Sequence, residues 1–124
     1  MLGDSPFFAN FSVDDVAKAK EFYEATLGIK VVEEYGGLTL YNAQDATIFV
    51  YPKPDHEPAK FTVIHFPVKD VVQTVKDLKV KGVQFETYTE EPLKTDEDNV
   101  SRNMGMTMAW FKDPAGNILG LMQQ

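Results

Sequence analysis

The chain repeats a pattern of residues at a spacing of about 55 positions, and this repeat limits the folds that it can adopt. Four residues of the first half recur, each 55 positions later, in the second: Phe11, Val13, Asp15 and Val16 correspond to Phe66, Val68, Asp70 and Val71. Gly28 corresponds to Gly82 at a spacing of 54, so a one-residue gap in the intervening helix absorbs the difference. Such self-similarity predicts two copies of one structural unit.

The first copy is predicted to contain a strand, a helix and three further strands. Its short, aromatic-rich segment 7–13 leads to Asp14 and Asp15, and acidic residues are favoured at a helix start by the helix dipole. Apolar residues then recur at helical spacing as far as Gly28, which is typical of a helix end. The three strands are predicted at 29–34, 38–41 and 47–51.

The second copy repeats this order after a proline-punctuated linker. It is predicted to contain a strand, a helix, a strand and a final hairpin, at 61–67, 70–81, 83–89, 106–111 and 117–122. Before the hairpin lies the acidic and polar insertion 90–105, which is too long for a plain strand connection. This insertion is interpreted either as a ligand-covering lid or as a solvated loop. Arg102 within it could close over an anionic ligand or pair locally with a carboxylate.

Length and composition indicate one domain, 1–124, and the predicted elements make it an α+β domain of two modules, 6–54 and 61–122. The 124 residues are 44% hydrophobic, enough for one core without disulfides. A net charge of −7 argues against nucleic acid as a partner, and the absence of cysteine excludes thiol catalysis. No apolar stretch approaches the roughly 20 residues that cross a bilayer, so a membrane partner is not expected. The N-terminus lacks the pattern of a secretion signal, so we expect a cytoplasmic protein.

Four motifs carry a resemblance to a known family: Val13-Asp14-Asp15, Phe22-Tyr23, Leu27-Gly28 and the segment 111–117 with its Asp-Pro-Ala-Gly turn. Together with the duplication, they make nearly the whole chain similar to the vicinal oxygen chelate superfamily. That group includes glyoxalase I, bleomycin-resistance proteins, fosfomycin-resistance enzymes and extradiol dioxygenases. The resemblance implies two βαβββ modules whose curved mixed sheets form a half-barrel cup, and it implies a homodimer.

The resemblance also implies where a metal ion would be held. Counted from the family motifs, the four ligand positions fall at Phe8, Phe49, Val63 and Gly120. None of these residues can coordinate a cation, whereas the family's isomerisation and ring-cleavage reactions need a Lewis acid. We therefore expect no cofactor, and a divalent metal enters only if the chain is an enzyme with a relocated site.

Strand alternation predicts which side chains would line the cup. On the first strand, Phe7, Ala9, Phe11 and Val13 are predicted to pack under the helices, which leaves the opposite face for the cup. The predicted ligand-binding residues are mostly aromatic and sulfur-containing: Phe8, Asn10, Phe49, Tyr51, Val63, His65, Met106, Met108 and Trp110. Such a set suits an apolar ligand pocket with sparse polar groups, although it would equally suit a filled core.

The two histidines receive different interpretations. His65 is the candidate catalytic residue, because an imidazole can act as acid or base near neutral pH. The alternative for His65 is a buried, hydrogen-bonded side chain that orients its neighbours. His56 lies among prolines and acidic residues in the linker and is predicted to be a solvated loop residue.

Three functions follow from these observations. The first is a metal-independent protein that holds an apolar or aromatic small molecule in the cup, similar to the bleomycin-resistance members. The second is a glyoxalase-like lyase or dioxygenase that uses a relocated metal or His65 as acid and base. The third is a dimeric interaction module whose cup is filled by its own side chains.

Overall fold

A computed structural model describes residues 1–123, which form two compact units. The first unit, Met1–Pro58, contains one sheet and one helical region. After a 3-10 turn at Leu2–Asp4, its elements are β1 (Ala9–Val13), α1 (Val16–Lys20), β2 (Lys30–Glu34), β3 (Gly37–Tyr41) and β4 (Thr47–Pro52). The second unit begins at Ala59. Its elements are β5 (Thr62–Pro67), α2 (Val71–Val80), β6 (Ser101–Asn103), β7 (Met106–Lys112) and β8 (Ile118–Gln123).

The two sheets have the same strand order, as the sequence repeat predicts. The first sheet is ordered β1-β4-β3-β2 and the second β5-β8-β7-β6. In each sheet the first strand pairs with the last in parallel, and the remaining neighbours are antiparallel. Both sheets are mixed and open within the described residues, so neither closes into a barrel. The predicted α+β class is confirmed.

The helices of the two units begin in the same way. The Asp15 carboxylate accepts a hydrogen bond from the Lys18 backbone N–H at 3.0 Å, and Asp70 accepts one from Gln73 at 3.0 Å. Each aspartate is the N-cap and satisfies one of the N–H groups that a helix start leaves without a partner. The repeated aspartate in the sequence is therefore a repeated helix cap.

The extra residue of the first copy lies in a π-helical segment. After Lys20 the helix continues as Glu21–Thr26 with π geometry, and the Leu27 N–H donates to the Phe22 carbonyl at 2.9 Å. A π turn spans five residues per hydrogen bond instead of four, so it can hold one more residue than an α turn. The helix α2 is α-helical from Val71 to Val80. The gap between the two copies thus has a local structural cause.

Each sheet packs one face against the helix of its own unit. In the first unit the ring of Tyr23, in the π-helical segment, lies 6.2 Å from that of Phe11 on β1. Burial of a large apolar side chain contributes roughly 1.5–3 kcal/mol, so these faces form the cores. The buried apolar side chains of the two units include Val13, Tyr23, Leu38, Val50, Val71, Val75, Ala109, Phe111, Leu119 and Leu121. We call the other side of each sheet its helix-free face.

The predicted strand at 83–89 is wrong. Phe85 forms only an isolated bridge with Phe111, and the Glu86 N–H donates to the Trp110 carbonyl at 2.8 Å. The strand β6 lies instead at Ser101–Asn103, inside the predicted insertion, and pairs with the start of β7. Two separate segments therefore share one edge of β7, which leaves neither of them room for a long strand.

The predicted packing of the first strand is correct only for its second half. Val13 is fully buried and Phe11 contacts Tyr23, whereas Ala9 is exposed and Phe7 is 81% exposed. Phe7 precedes β1 and so lies outside the sheet, and Ala9 is the first residue of the strand, whose buried part is at its other end.

The turn between β7 and β8 is held together by Asp113 and Asn117, both of which are buried. The Asp113 carboxylate accepts hydrogen bonds from the backbone N–H groups of Ala115 and Asn117, at 3.0 and 2.9 Å. Its second oxygen accepts from Asn117 Nδ2 at 3.0 Å.

Of the helices in residues 1–123, none has both the length and the apolar character needed to cross a bilayer.

Candidate functional site

The helix-free face of the second sheet carries most of the predicted ligand-binding residues of that unit. His65, Gly120 and Trp110 are register partners on three neighbouring strands, and Met122 is the partner of Met108. Side chains of paired residues lie on the same face of a sheet. His65, Met108, Trp110 and Met122 therefore share the face opposite α2.

His65 lies directly over Gly120. A methyl group at Gly120 would lie 2.8 Å from His65 Nδ1 and 3.0 Å from His65 Cε1, so the imidazole occupies the space that a side chain would need. His65 is exposed, which contradicts the interpretation that it is a buried, orienting histidine. Its ring is thus available to a ligand on this face.

A bulge in β5 changes which residues accompany His65. The pairing with β8 shifts between Thr62 and Ile64, so Val63 has no partner in the ladder. Thr62 Cγ2 would lie 3.2 Å from a methyl group on Gly120, which places Thr62 on the same side as His65. Because a bulge interrupts the alternation of side chains, the alternation rule no longer assigns Val63 to this face.

Trp110 is the largest side chain of this face and is only 4% exposed. The ring of Tyr88 packs edge-on against it, at 5.3 Å between centroids and an interplanar angle of 74°. Burial raises the pKa of the Tyr88 hydroxyl, and the negative charge of Glu86 raises it further. Met106, Met108 and Met122 are half-buried on the same strands. The sequence did not single out Tyr88, because it lies in a segment without regular strand pairing.

The insertion 90–105 is bonded into the second unit. Thr95 is buried and both donates to and accepts from the backbone of Tyr88, at 2.8 and 3.0 Å. Lys79 of α2 donates to the Asn99 side chain at 2.8 Å, and Val100 is 1% exposed. A wholly solvated loop is therefore the wrong interpretation, since the insertion holds Tyr88 beside Trp110.

Arg102 pairs locally, which was one of its two interpretations. Its guanidinium donates to the Asp96 carboxylate at 2.7 Å. The same carboxylate accepts from the backbone N–H groups of Asp98 and Val100, at 2.9 and 3.0 Å. Hydrogen bonding from the Val100 backbone lowers the pKa of Asp96, burial opposes this shift, and the bond from Arg102 supports it.

The helix-free face of the first sheet is more polar. Asn10 pairs with Phe49 and Ser12 with Tyr51, so all four side chains lie on this face. The Phe49 ring covers Gly37, because a methyl group there would lie 2.8 Å from Phe49 Cζ. Phe8 precedes β1 and is 57% exposed.

Two acidic neighbours on β2 point to opposite faces, as strand alternation predicts. Glu34 accepts a hydrogen bond from the Thr39 hydroxyl at 2.6 Å on the helix-free face. Glu33 lies 3.7 Å from the Lys20 ammonium group of α1. The pair therefore does not form a joint carboxylate site.

His56 forms a contact that the sequence did not predict. Its Nδ1 lies 2.7 Å from the Ser12 hydroxyl oxygen, and the side chain is half-buried. The Lys53 N–H donates to the Val13 carbonyl at 3.0 Å, which continues the parallel pairing of β1 and β4, and the His56 N–H then donates to the Lys53 carbonyl at 3.0 Å in a turn after β4. The prediction of a solvated loop histidine is wrong for this reason. Pro52 and Pro54, which restrict the backbone, are the only sequence signal for such a turn.

The residues at the family's metal positions do not fit a metal ion. Phe8, Phe49, Val63 and Gly120 offer no side-chain donor, and the space beside Gly120 holds the His65 ring. Across residues 1–123 no three histidine or carboxylate side chains converge on a point where they could hold a cation. The donor groups that the family uses for its ion are therefore not assembled in the described part of this chain.

Comparisons with known proteins agree on the fold. The sequence model of one protein family, the Glyoxalase/Bleomycin resistance protein/Dioxygenase superfamily, matches residues 7–121 of this chain. No curated protein matches the sequence.

Three solved structures illustrate the structural similarity. The fosfomycin resistance protein FosX from Listeria monocytogenes is 11% identical, with a TM-score of 0.70 over 95% of this chain and 91% of that one. A glyoxalase/bleomycin resistance protein/dioxygenase from Alicyclobacillus acidocaldarius is 18% identical, with a TM-score of 0.68 over 97% and 93%. TnmS3, an antibiotic binding protein from Streptomyces sp. CB03234, is 25% identical, with a TM-score of 0.61 over 94% of each chain.

Proposed function

The chain belongs to the glyoxalase/bleomycin resistance protein/dioxygenase superfamily, and from this premise we propose that it binds an apolar or aromatic small molecule without a metal ion. The observation that carries the proposal is the helix-free face of the second sheet, where Trp110 is paired with Gly120 and Met108 with Met122. TnmS3, which has the same fold, is an antibiotic binding protein, and this supports the ligand class. Family membership alone does not identify the ligand class, because proteins of one fold have many different activities.

The chemistry of this face suits such a ligand. Ligand sites are mostly apolar, with a few polar groups that orient the bound molecule. Methionine side chains are flexible and polarizable, so Met108 and Met122 can adapt to ligands of different shape. His65 is the exposed polar group beside them and can donate or accept a hydrogen bond.

Tryptophan fluorescence tests the proposal, because Trp110 is the single tryptophan of the chain. The protein is titrated with anilinonaphthalene sulfonate and a panel of planar aromatic antibiotics, and thermal unfolding is followed in parallel. We expect a saturable change in emission and a higher melting temperature, since a ligand at 100 times its Kd stabilises a native protein by about 2.7 kcal/mol.

Three variants locate the site. Met108→Ala should weaken binding, and Trp110→Phe should keep the thermal shift while the fluorescence signal is lost. Val80→Ala is the control, because Val80 is 88% exposed on α2. The absence of a saturable response to every probe, or equal loss in Val80→Ala, would contradict the proposal.

Metal independence is tested separately. Protein treated with a chelator should bind the same probe with unchanged affinity. A stoichiometric divalent metal in the purified protein, measured by elemental analysis, together with loss of binding after chelation, would show that this part of the proposal is wrong.

The exposed imidazole of His65 favours a second candidate, a glyoxalase-like lyase or dioxygenase in which His65 acts as acid and base. Its position beside Trp110 on the helix-free face would place it against a bound substrate. An activity that survives chelation and is abolished by His65→Ala would establish this candidate. The relocated-metal version is not supported by the donor groups of residues 1–123.

The proposal includes a homodimer, as the family resemblance implies. In the first unit β1 is an edge strand, and Phe7 before it is 81% exposed. Exposed aromatic side chains beside a free strand edge suit an interface between copies. Light scattering should give the mass of two chains. A dimer that binds none of the probes would instead favour the third function, an interaction module with a filled cup.

A further inference from the structure

The first unit contains a serine and a histidine in contact, a pair that the binding of an apolar ligand does not require. The Ser12 hydroxyl oxygen lies 2.7 Å from His56 Nδ1. This distance is within the range for a nucleophile and its general base. Both side chains are half-buried, so they are partly desolvated while still accessible to a small reactant.

The histidine is positioned by backbone contacts on both sides of the turn that carries it. The His56 N–H donates to the Lys53 carbonyl at 3.0 Å, and the Lys53 N–H donates to the Val13 carbonyl at 3.0 Å. Pro54 restricts the backbone inside this turn, and Pro52 precedes it as the last residue of β4. These contacts tie the linker to β1 one residue beyond Ser12, which orients the imidazole toward the hydroxyl group.

We propose that Ser12 is a nucleophile, that His56 is its general base, and that the pair hydrolyses activated aryl esters. In the tautomer with a proton on Nε2, the Ser12 hydroxyl donates to His56 Nδ1. Ser12 Oγ forms a bond to the ester carbonyl carbon while its proton passes to Nδ1. The bond to the leaving oxygen then breaks, and the departing aryl alcohol takes that proton.

Water completes the cycle. It attacks the acyl group on Ser12 and gives one proton to His56 Nδ1, and the bond between the acyl carbon and Ser12 Oγ breaks. That proton then returns to Ser12 Oγ, and the carboxylic acid leaves. Bond formation and proton transfer are balanced without an oxidant, a reductant or a metal ion.

The neighbouring side chains indicate the substrate class. Tyr51 is the register partner of Ser12, and Phe49 is the partner of Asn10, so aromatic rings lie on the same face as the nucleophile. These rings suit an aryl leaving group or an aryl acyl group. Asn10 is exposed on that face, and its amide is the candidate donor to the negatively charged oxygen of the intermediate.

The first test is the reaction with p-nitrophenyl acetate, followed by release of nitrophenol and by intact-mass and peptide-mass spectrometry. We expect an acetyl group on Ser12 and hydrolysis above background. Ser12→Ala should reduce the rate to background, and His56→Gln should reduce it about 100-fold, at the low end of the 10²–10⁴ range for general-base catalysis. Ser5→Ala, at an exposed serine, is the matched control and should react like the wild type.

Unchanged hydrolysis in Ser12→Ala, or acetylation of lysine residues in place of Ser12, would overturn the proposal. Loss of activity in Ser12→Ala and Ser5→Ala alike would also count against it. Circular dichroism and melting temperature show whether each variant is folded.

A second test does not depend on turnover. The chain has no cysteine, so Ser12→Cys introduces a unique thiol whose alkylation rate by iodoacetamide can be measured. A histidine in contact with a thiol promotes the reactive thiolate. We expect Ser12→Cys to react at least 10-fold faster at neutral pH than Ser5→Cys. The double variant that combines Ser12→Cys with His56→Gln should lose this advantage. Equal rates in all three proteins would show that the contact is only structural.

Discussion

The imidazole of His65 occupies the space into which a side chain of Gly120 would project. A methyl group on Gly120 would lie 2.8 Å from His65 Nδ1, and Trp110 is the register partner of Gly120 on its other side. The absence of a side chain at position 120 therefore lets a histidine rest against the sheet beside a tryptophan. The geometry of this glycine leads to a first prediction.

Gly120→Ala should destabilise the protein only moderately, by about 1 kcal/mol, because the exposed His65 ring can rotate away from the new methyl group. The histidine ring resonances should shift in nuclear magnetic resonance spectra. Gly37→Ala should cost more, about 3 kcal/mol, since its methyl group would meet the backbone carbonyl of Val50 as well as the Phe49 ring. Urea denaturation measures both variants, and a larger loss for Gly120→Ala would show that this ranking is wrong.

Asp113 is expected to be the most sensitive residue of the turn between β7 and β8. Asp113→Ala removes the acceptor for two backbone N–H groups and for the Asn117 side chain, in a buried position. Unpaired buried donors are costly, so we expect a loss of about 3 kcal/mol in the free energy of unfolding. Asp113→Asn keeps an acceptor oxygen and should lose less. Asp14→Ala, at an exposed aspartate, is the control and should change little.

The stability contribution of Asp96 should depend on pH. Its pKa in the folded protein is lowered from the usual 3.8, first by the Val100 backbone N–H and also by Arg102, against the effect of burial. The ionised carboxylate therefore stabilises the fold above the unfolded-state pKa, and this contribution is lost as the pH falls through the lower folded-state pKa. We expect Asp96→Asn to melt below the wild type at neutral pH and to match it in acid.

Thermal unfolding of the wild type and Asp96→Asn across this pH range checks the prediction. Glu97→Gln, at an exposed neighbouring residue, is the control for a general change of net charge. A melting difference of the same size at neutral and acid pH would mean that the Asp96 carboxylate does not stabilise the loop through its charge.

The two helix caps should make similar contributions. Asp15→Ala and Asp70→Ala each remove a carboxylate that accepts from the third residue of a helix, and each should cost about 1 kcal/mol. Because the caps belong to separate units, the losses should add in the double variant. Asp15→Asn and Asp70→Asn preserve an accepting oxygen and should restore most of the stability. Chemical denaturation gives all five values, and a strongly non-additive double variant would contradict the independence of the caps.

Much of the fold could be predicted because its signals are local. The aspartate caps, the glycines that end the helices and the alternating apolar residues of β1, β4 and β8 each reflect bonding or burial within a few positions. The one-residue gap between the two copies was also visible, although only the structure shows that a π-helical segment absorbs it.

The candidate site was predicted less completely, for a physical reason. Alternation placed Trp110, Met108 and His65 on one face, since that rule depends only on the pleat of a regular strand. It does not assign Val63 to a face, because a bulge depends on the partner strand. Tyr88 and His56 lie in irregular segments, where no periodicity points to a contact.

A duplicated strand-helix-strand unit, its helix caps and the apolar faces of its cores can be predicted from the order of residues, because each depends on short-range spacing. Folding alone brings two segments to one edge of β7 and His56 to Ser12. Ser12 and His56, for example, are 44 positions apart in the sequence. A contact of that range depends on the parallel pairing of β1 with β4 and on the turn that follows β4, so no single segment of the sequence encodes it.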